Sequence, residues 1–152
     1  MDNRKMQNFL KTMILKATYK RVYEALTNSI AKLWTENFEG CSDKEDETFT
    51  IRFGPNVFKT LRVEELIPNV KVGWRVTDSL INIPELKNKT EWINTKIIWE
   101  ITSQDNQTEI CLTHLGLTPE SECYDICKSG WHNFTESLTH FIETGIGKPF
   151  KV

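Results

Sequence analysis

Charge of one sign is the first thing this sequence lacks. Lys and Arg number 19 against 21 Asp and Glu, a formal net charge of -2, with the two signs interspersed. That balance gives no electrostatic reason to expect nucleic acid or an anionic membrane surface as a partner. The densest cluster, "SDKEDE" at Ser42 to Glu47, mixes both signs and reads as a solvated loop. Long apolar runs are missing too. The opening "MDNRKMQNFLKTM" has neither the apolar centre nor the small-residue cleavage site of a signal peptide, and no segment has the length and apolarity of a membrane span. The expectation is one cytoplasmic domain, 1–152, with a core over roughly 9–147. Cysteine is scarce, and Cys41, Cys111, Cys123 and Cys127 fit a reducing compartment in which each acts as a small apolar residue. No GxSxG elbow, HExxH, P-loop or GxGxxG occurs, so no catalytic residue, cofactor or metal site is named.

What is present is periodicity. Residues 8–17 alternate imperfectly, with Phe9, Met13, Leu15 and Ala17 on one side, and read as a strand. Thr18 is placed to cap a short helix over 19–27, and a second begins after Ser29 with Ile30, Leu33 and Trp34 as its buried stripe. From Thr48 the text is strand-like. "TFTIRF" alternates Phe49, Ile51 and Phe53 against Thr50 and Arg52, "GPN" is a turn, and "VFKTLRVEELI" follows. "VKVGWRVTD" then alternates Val70, Val72, Trp74 and Val76 against Lys71, Gly73 and Arg75. Turns this short join antiparallel neighbours. Asp78 to Thr90 lacks periodicity and reads as a long loop, a lid or contact surface. "EWINTKIIWEIT" and "TEICLTHLGL" complete the strands. After Pro119, apolar residues from Tyr124 to Ile142 step by three and four, marking one amphipathic helix of roughly 23 residues. Gly145 is placed to take its left-handed terminal position, and Pro149 blocks continuation.

An antiparallel sheet with one polar face must cover the other, and the C-terminal helix carries the only long apolar stripe. The fold class expected is α+β, a curved antiparallel sheet of six or seven strands wrapped around that helix, with two short helices after the first strand. One helix covers a width of only about 10 Å, so an apolar cavity between helix and sheet is a geometric expectation. The order of elements, the opening "ILKATYKRVYEALTNSIAKLW", the strand "TEICLTHLGL" and above all "CKSGWHNFTESLTHFIETGIGKPF" resemble the START-like (SRPBCC) superfamily with its helix-grip fold. Within it they are similar to the family of the activator of heat-shock protein 90 ATPase, in its small single-domain bacterial type without the further N-terminal domain of the eukaryotic activators. The resemblance covers residues 13–150 and implies a pocket, in a superfamily with binders of apolar ligands, cyclases and hydrolases.

Three constellations need weighing. His132, Glu136 and His140 have the i, i+4 spacing of metal ligands, but at 100° per residue they fall opposite Trp131, Phe134 and Leu138 and so face water. Cys123 and Cys127 fall on the buried side without the CxxC spacing of a redox or zinc pair, and read as core. His114 is different. With Lys96 and Glu100 facing solvent, Ile97 and Trp99 face inward, and by the same alternation so do Ile110, Leu112 and His114. An inward histidine could orient a ligand or shuttle a proton; the alternative is one whose ring nitrogens are satisfied by backbone near the strand's end. The expected pocket lining is Phe49, Ile51, Trp74, Ile97, Trp99, Leu112, His114, Cys127, Trp131, Phe134 and Leu138. Gly130, inside the helix, costs about 1 kcal/mol relative to Ala, which points to close approach or to room for a ligand.

The leading expectation is a non-enzymatic domain holding a small apolar or amphipathic molecule, with His114 as its polar contact. The alternatives are a chaperone-associated interaction module, a small hydrolase or cyclase using the same pocket, and a homodimer with a filled cavity.

Overall fold

The computed structural model describes residues 7–151, so part of the N-terminal segment read above as free of a leader lies outside the described residues. The sheet is seven-stranded and antiparallel throughout, in the order β1-β7-β6-β5-β4-β3-β2. Its strands are β1 (Phe9–Leu15), β2 (Phe38–Gly40), β3 (Thr48–Arg52), β4 (Val57–Ile67), β5 (Lys71–Ile81), β6 (Lys96–Gln104) and β7 (Gln107–Leu115). Helices α1 (Tyr19–Asn28) and α2 (Ile30–Leu33) follow β1, and α3 (Tyr124–Thr144) follows β7. The α+β helix-grip architecture expected from the residues is the one observed.

Local chemistry explains the element ends. Arg21 N–H donates to Thr18 Oγ1 at 3.2 Å, the side-chain cap expected of α1. Gly145 takes φ 83°, and its N–H closes α3 on the Phe141 carbonyl at 2.7 Å. Helix α3 turns Cys127, Trp131, Phe134, Leu138 and Ile142 into the core. They meet the inward rows of the sheet: Ile97 opposite His114, Trp99 opposite Leu112 and Ile101 opposite Ile110.

The differences from the sequence reading lie where period-2 logic is interrupted. Strand β5 continues to Ile81 instead of ending before Asp78, because the β4–β5 register slips between Thr60 and Leu61 and leaves Thr77 as an extra residue. The slip reverses the alternation: Val72, Trp74 and Val76 face inward before it, Ser79 and Ile81 after it. Strand β6 begins at Lys96, five residues later than expected, because residues 91–95 form a turn whose Trp92 is nevertheless buried. Val70, read as the start of an inward row, lies in the β4–β5 turn and is half exposed. The short edge strand β2 carries no pattern of its own and is organised by pairing with β3.

Candidate functional site

The inner face of the molecule is an aromatic assembly centred on Trp131. Its ring centroid lies 5.2 Å from that of Trp34, 5.8 Å from Trp92 in a stacked arrangement, 5.9 Å from Trp99 and 5.7 Å from Phe134. The Trp131 indole N–H donates to His114 Nδ1 at 3.1 Å, which leaves Nδ1 the acceptor and puts the ring proton on Nε2. Nε2 in turn reaches Thr95 Oγ1 at 2.9 Å, and Thr95 donates to the Trp92 carbonyl at 2.6 Å. Burial, with a smaller contribution from the Lys59 charge, pushes the His114 pKa down to about 3. His114 is therefore a neutral core histidine, its ring nitrogens satisfied by the Trp131 and Thr95 side chains rather than by backbone or a ligand.

Beside this assembly is a cavity of about 470 Å³, within the roughly 300–1,000 Å³ usual for small-molecule sites. One wall is α3, through Ile126, Cys127, Gly130, Trp131, Asn133 and Phe134. Leu33 and Trp34 supply a second, and the sheet and its connections supply Phe53, Val57, Lys59, Ile81, Ile83 and Trp92. Gly130 is where helix geometry makes room, because a Cβ built there meets nothing within 4 Å. Room rather than close approach explains the residue.

Lys59 is the one charged side chain lodged deep in this lining. Its neighbours on the inner row of β4 are Leu61 and Val63, and its exposure is only 9%. Nζ lies 4.1 Å from the centroid of Trp92 and 4.9 Å from that of Phe53, and among the described residues it has no hydrogen-bond or ion-pair partner. Desolvation holds its pKa below the ordinary value. Cys127 lies close by. Its thiol accepts from Cys123 and from the Trp92 indole at 3.0 Å, and these bonds together with the Lys59 charge hold its pKa below the ordinary value against the effect of burial.

Two peripheral segments complete the walls. The 82–95 connection, which contains residues 82–90 of the Asp78–Thr90 segment expected to be a lid or contact surface, is tied to the start of α3 by a reciprocal pair of carboxylates. Glu122 accepts from the N–H groups of Lys87 and Asn88 at 2.9 and 3.1 Å, while Glu91 accepts from those of Glu122 and Cys123, both at 3.0 Å. The C-terminal tail folds back so that Lys148, Pro149 and Phe150 line the cavity. Lys148 N–H donates to Ser137 Oγ at 2.6 Å, and Phe150 bonds Trp34 and Glu36 through its backbone at 3.0 Å each. This return depends on Gly147, where a Cβ would lie 1.9 Å from the Lys32 carbonyl oxygen. Gly147→Ala is expected to cost about 1–3 kcal/mol by overpacking and to release the tail, read as faster amide exchange and proteolysis confined to residues 146–151. Exchange unchanged from wild type would show that the tail finds another seat.

Of the residues expected to line a pocket, the structure brings Cys127, Trp131 and Phe134 to the cavity. Phe49, Ile51, Trp74, Ile97, Trp99, Leu112, His114 and Leu138 are buried in the packed core and do not line this cavity, aromatic rings filling the space over the central strands. Trp34, Trp92, Lys59 and the tail were missed as walls. The alternation of Leu61 and Val63 could have found Lys59, since it shares their phase; a loop tryptophan and a returning tail carry no such signal. The His132, Glu136 and His140 trio lies on the outer side of α3. His132 faces Glu136 at 3.6 Å, and Glu136 reaches Lys148 at 3.5 Å on the cavity rim. Cys123 is buried without exposure, as the core reading expected.

Comparison with known proteins adds to this geometry. The family described as "Activator of Hsp90 ATPase homolog 1-like protein" matches residues 16–143. The solution structure of the Aha1 dimer from Colwellia psychrerythraea is 28% identical, covers 93% of this chain and 100% of its own, and superposes with a TM-score of 0.77. DynU16, described as a putative protein in the dynemicin biosynthetic locus, is 19% identical with a TM-score of 0.69; the match covers 91% of this chain and 48% of that one. Protein MLL2253 from Mesorhizobium loti is 15% identical with a TM-score of 0.73, covering 90% of this chain and 97% of its own. The latter two likenesses concern the fold alone. No curated protein matches this chain.

Proposed function

This chain belongs to the Activator of Hsp90 ATPase homolog 1-like protein family, and on that premise we propose that it binds a small apolar or amphipathic molecule in the cavity between α3, the sheet and the C-terminal tail. The observation that carries this reading is the cavity itself: about 470 Å³ walled largely by Trp34, Phe53, Trp92, Trp131, Phe134 and aliphatic side chains, with a helix glycine leaving space. Water gains few hydrogen bonds against such walls, so an apolar guest replaces it at a net gain of about 25 cal/mol per Å² of apolar surface covered.

Native mass spectrometry of freshly purified protein and a thermal-shift panel of lipids and aromatics test this. Gly130→Leu is the control, because a Cβ at this lining position meets nothing within 4 Å and the added side chain is directed to take up cavity space. A bound mass or a ligand-dependent rise in Tm in the wild type, abolished in Gly130→Leu, is expected. A bare chain mass together with no thermal shift across the panel would overturn the reading.

The family description and the dimeric Colwellia relative favour a second reading, an interaction module working as a homodimer at a chaperone. Sedimentation equilibrium and a pull-down against the host Hsp90 test its two parts. A monomer at all concentrations with no chaperone capture would remove it.

A further inference from the structure

We propose that the cavity selects a monocarboxylic acid with an apolar body, the carboxylate pairing with Lys59 Nζ while the body packs against Trp34, Trp131 and Phe134. The proposal rests on the ligand-binding reading above and adds the chemistry of the guest. A lysine on the inner row of a sheet is costly, since a buried ammonium loses hydration worth several kcal/mol unless something replaces it. The faces of Trp92 and Phe53 supply part of the replacement through their π-systems. They leave the three N–H donors of the ammonium without an acceptor among the described residues. The cross-strand neighbour of Lys59 is Ser79, which also faces inward and whose buried hydroxyl has no partner among the described residues. Among the described residues, Lys59 and Ser79 are adjacent polar groups without hydrogen-bond partners on an inner face where the indole N–H groups of Trp74 and Trp99 are also unpartnered, and at Lys59 the missing group is an acceptor.

The charge of the guest follows from the surroundings. The other charged groups of the lining, Glu136 and Lys148, face each other at 3.5 Å on the rim and cancel, which leaves Lys59 as a single positive charge inside. One negative charge balances it; a dianionic phosphate would leave a net charge in an apolar site. A carboxylate on one end of an apolar body fits both that charge and the largely apolar walls. An ammonium already fixed by Trp92 and Phe53 needs little reorganisation to receive it.

The test compares acids with neutral partners of similar shape: dodecanoate with dodecanol and naphthoate with naphthol, by calorimetry on wild type and on Lys59→Met, which keeps an unbranched side chain one atom shorter and removes the charge. At least one acid is expected to bind wild type about tenfold or more tightly than its alcohol, with Lys59→Met binding acid and alcohol alike. Equal binding of acid and alcohol to wild type would overturn the acid preference and leave the apolar-cavity reading standing. A preference that survives in Lys59→Met would overturn the assignment to Lys59. No binding of any of the four would overturn both readings. The wild-type comparison does not depend on the variant folding.

Discussion

Acidification from pH 6.5 to about 3 is expected to remove on the order of 5 kcal/mol of stability through His114 alone. The imidazole is buried, and Nδ1, where a second proton would go, is occupied by the Trp131 indole N–H. Burial is the main cause of its lowered pKa, and the Lys59 charge adds to it. The sign follows from counting protons. Above pH 6.5 the imidazole is neutral in both folded and unfolded chains, and stability does not depend on it. Below that value the unfolded chain takes up a proton that the folded chain refuses, so stability falls by up to about 1.4 kcal/mol per pH unit until the folded ring titrates near 3. Urea unfolding of wild type and of His114→Gln over a series of pH values isolates the effect. Gln can accept from Trp131 and donate to Thr95 but does not titrate in this range. The difference in stability between the two proteins should change steadily as pH falls below 6.5 and be constant above it. A difference independent of pH would show that the folded ring accepts its proton at the ordinary value.

Trp131→Ala is the second large effect, expected to cost about 3–5 kcal/mol. The indole is fully buried and touches Trp34, Trp92, Trp99, Phe134 and His114, so its removal leaves a void at the centre of the assembly. Trp131→Phe separates packing from hydrogen bonding. It keeps most of the ring but takes the donor from His114 Nδ1, and a buried acceptor left without a partner costs about 1–3 kcal/mol. Chemical denaturation of both variants is the measurement, with near-ultraviolet circular dichroism to report the order of the remaining tryptophans. A Phe variant as stable as wild type would remove the hydrogen bond from the account. An Ala variant costing less than about 1 kcal/mol would contradict the central position of the ring.

Both predictions concern residues whose burial was legible before any coordinates. Trp131 stands in the 3.6-residue stripe of α3, and His114 shares the phase of Ile110 and Leu112 on β7. Their partnership was not legible, because neither periodicity says which inward side chain on a helix meets which inward side chain on a strand. The role given to His114 shifted for the same reason. Inward is a property of the strand's alternation, whereas lining a cavity depends on whether a neighbour's ring fills the space above, and here Trp92 and Trp131 do so at 4.5 and 5.7 Å.

Apart from β2, the order of elements is legible along the chain, as are the antiparallel sheet, the two short helices, the face of α3 that is buried and the outward direction of His132 and His140. Those features follow from the spacing of apolar residues and from caps and turns, which act over a few residues and can be read along the chain. The make-up of the cavity, by contrast, is set by contacts between segments far apart in the chain. The slip at Thr77 brings Ser79 and Ile81 to the inner face, Glu91 and Glu122 bind the 82–95 connection to α3, and Gly147 lets the tail return against Lys32. Each joins residues distant in the chain, and the charge of Lys59 acquires its meaning only among the rings and walls that these contacts assemble.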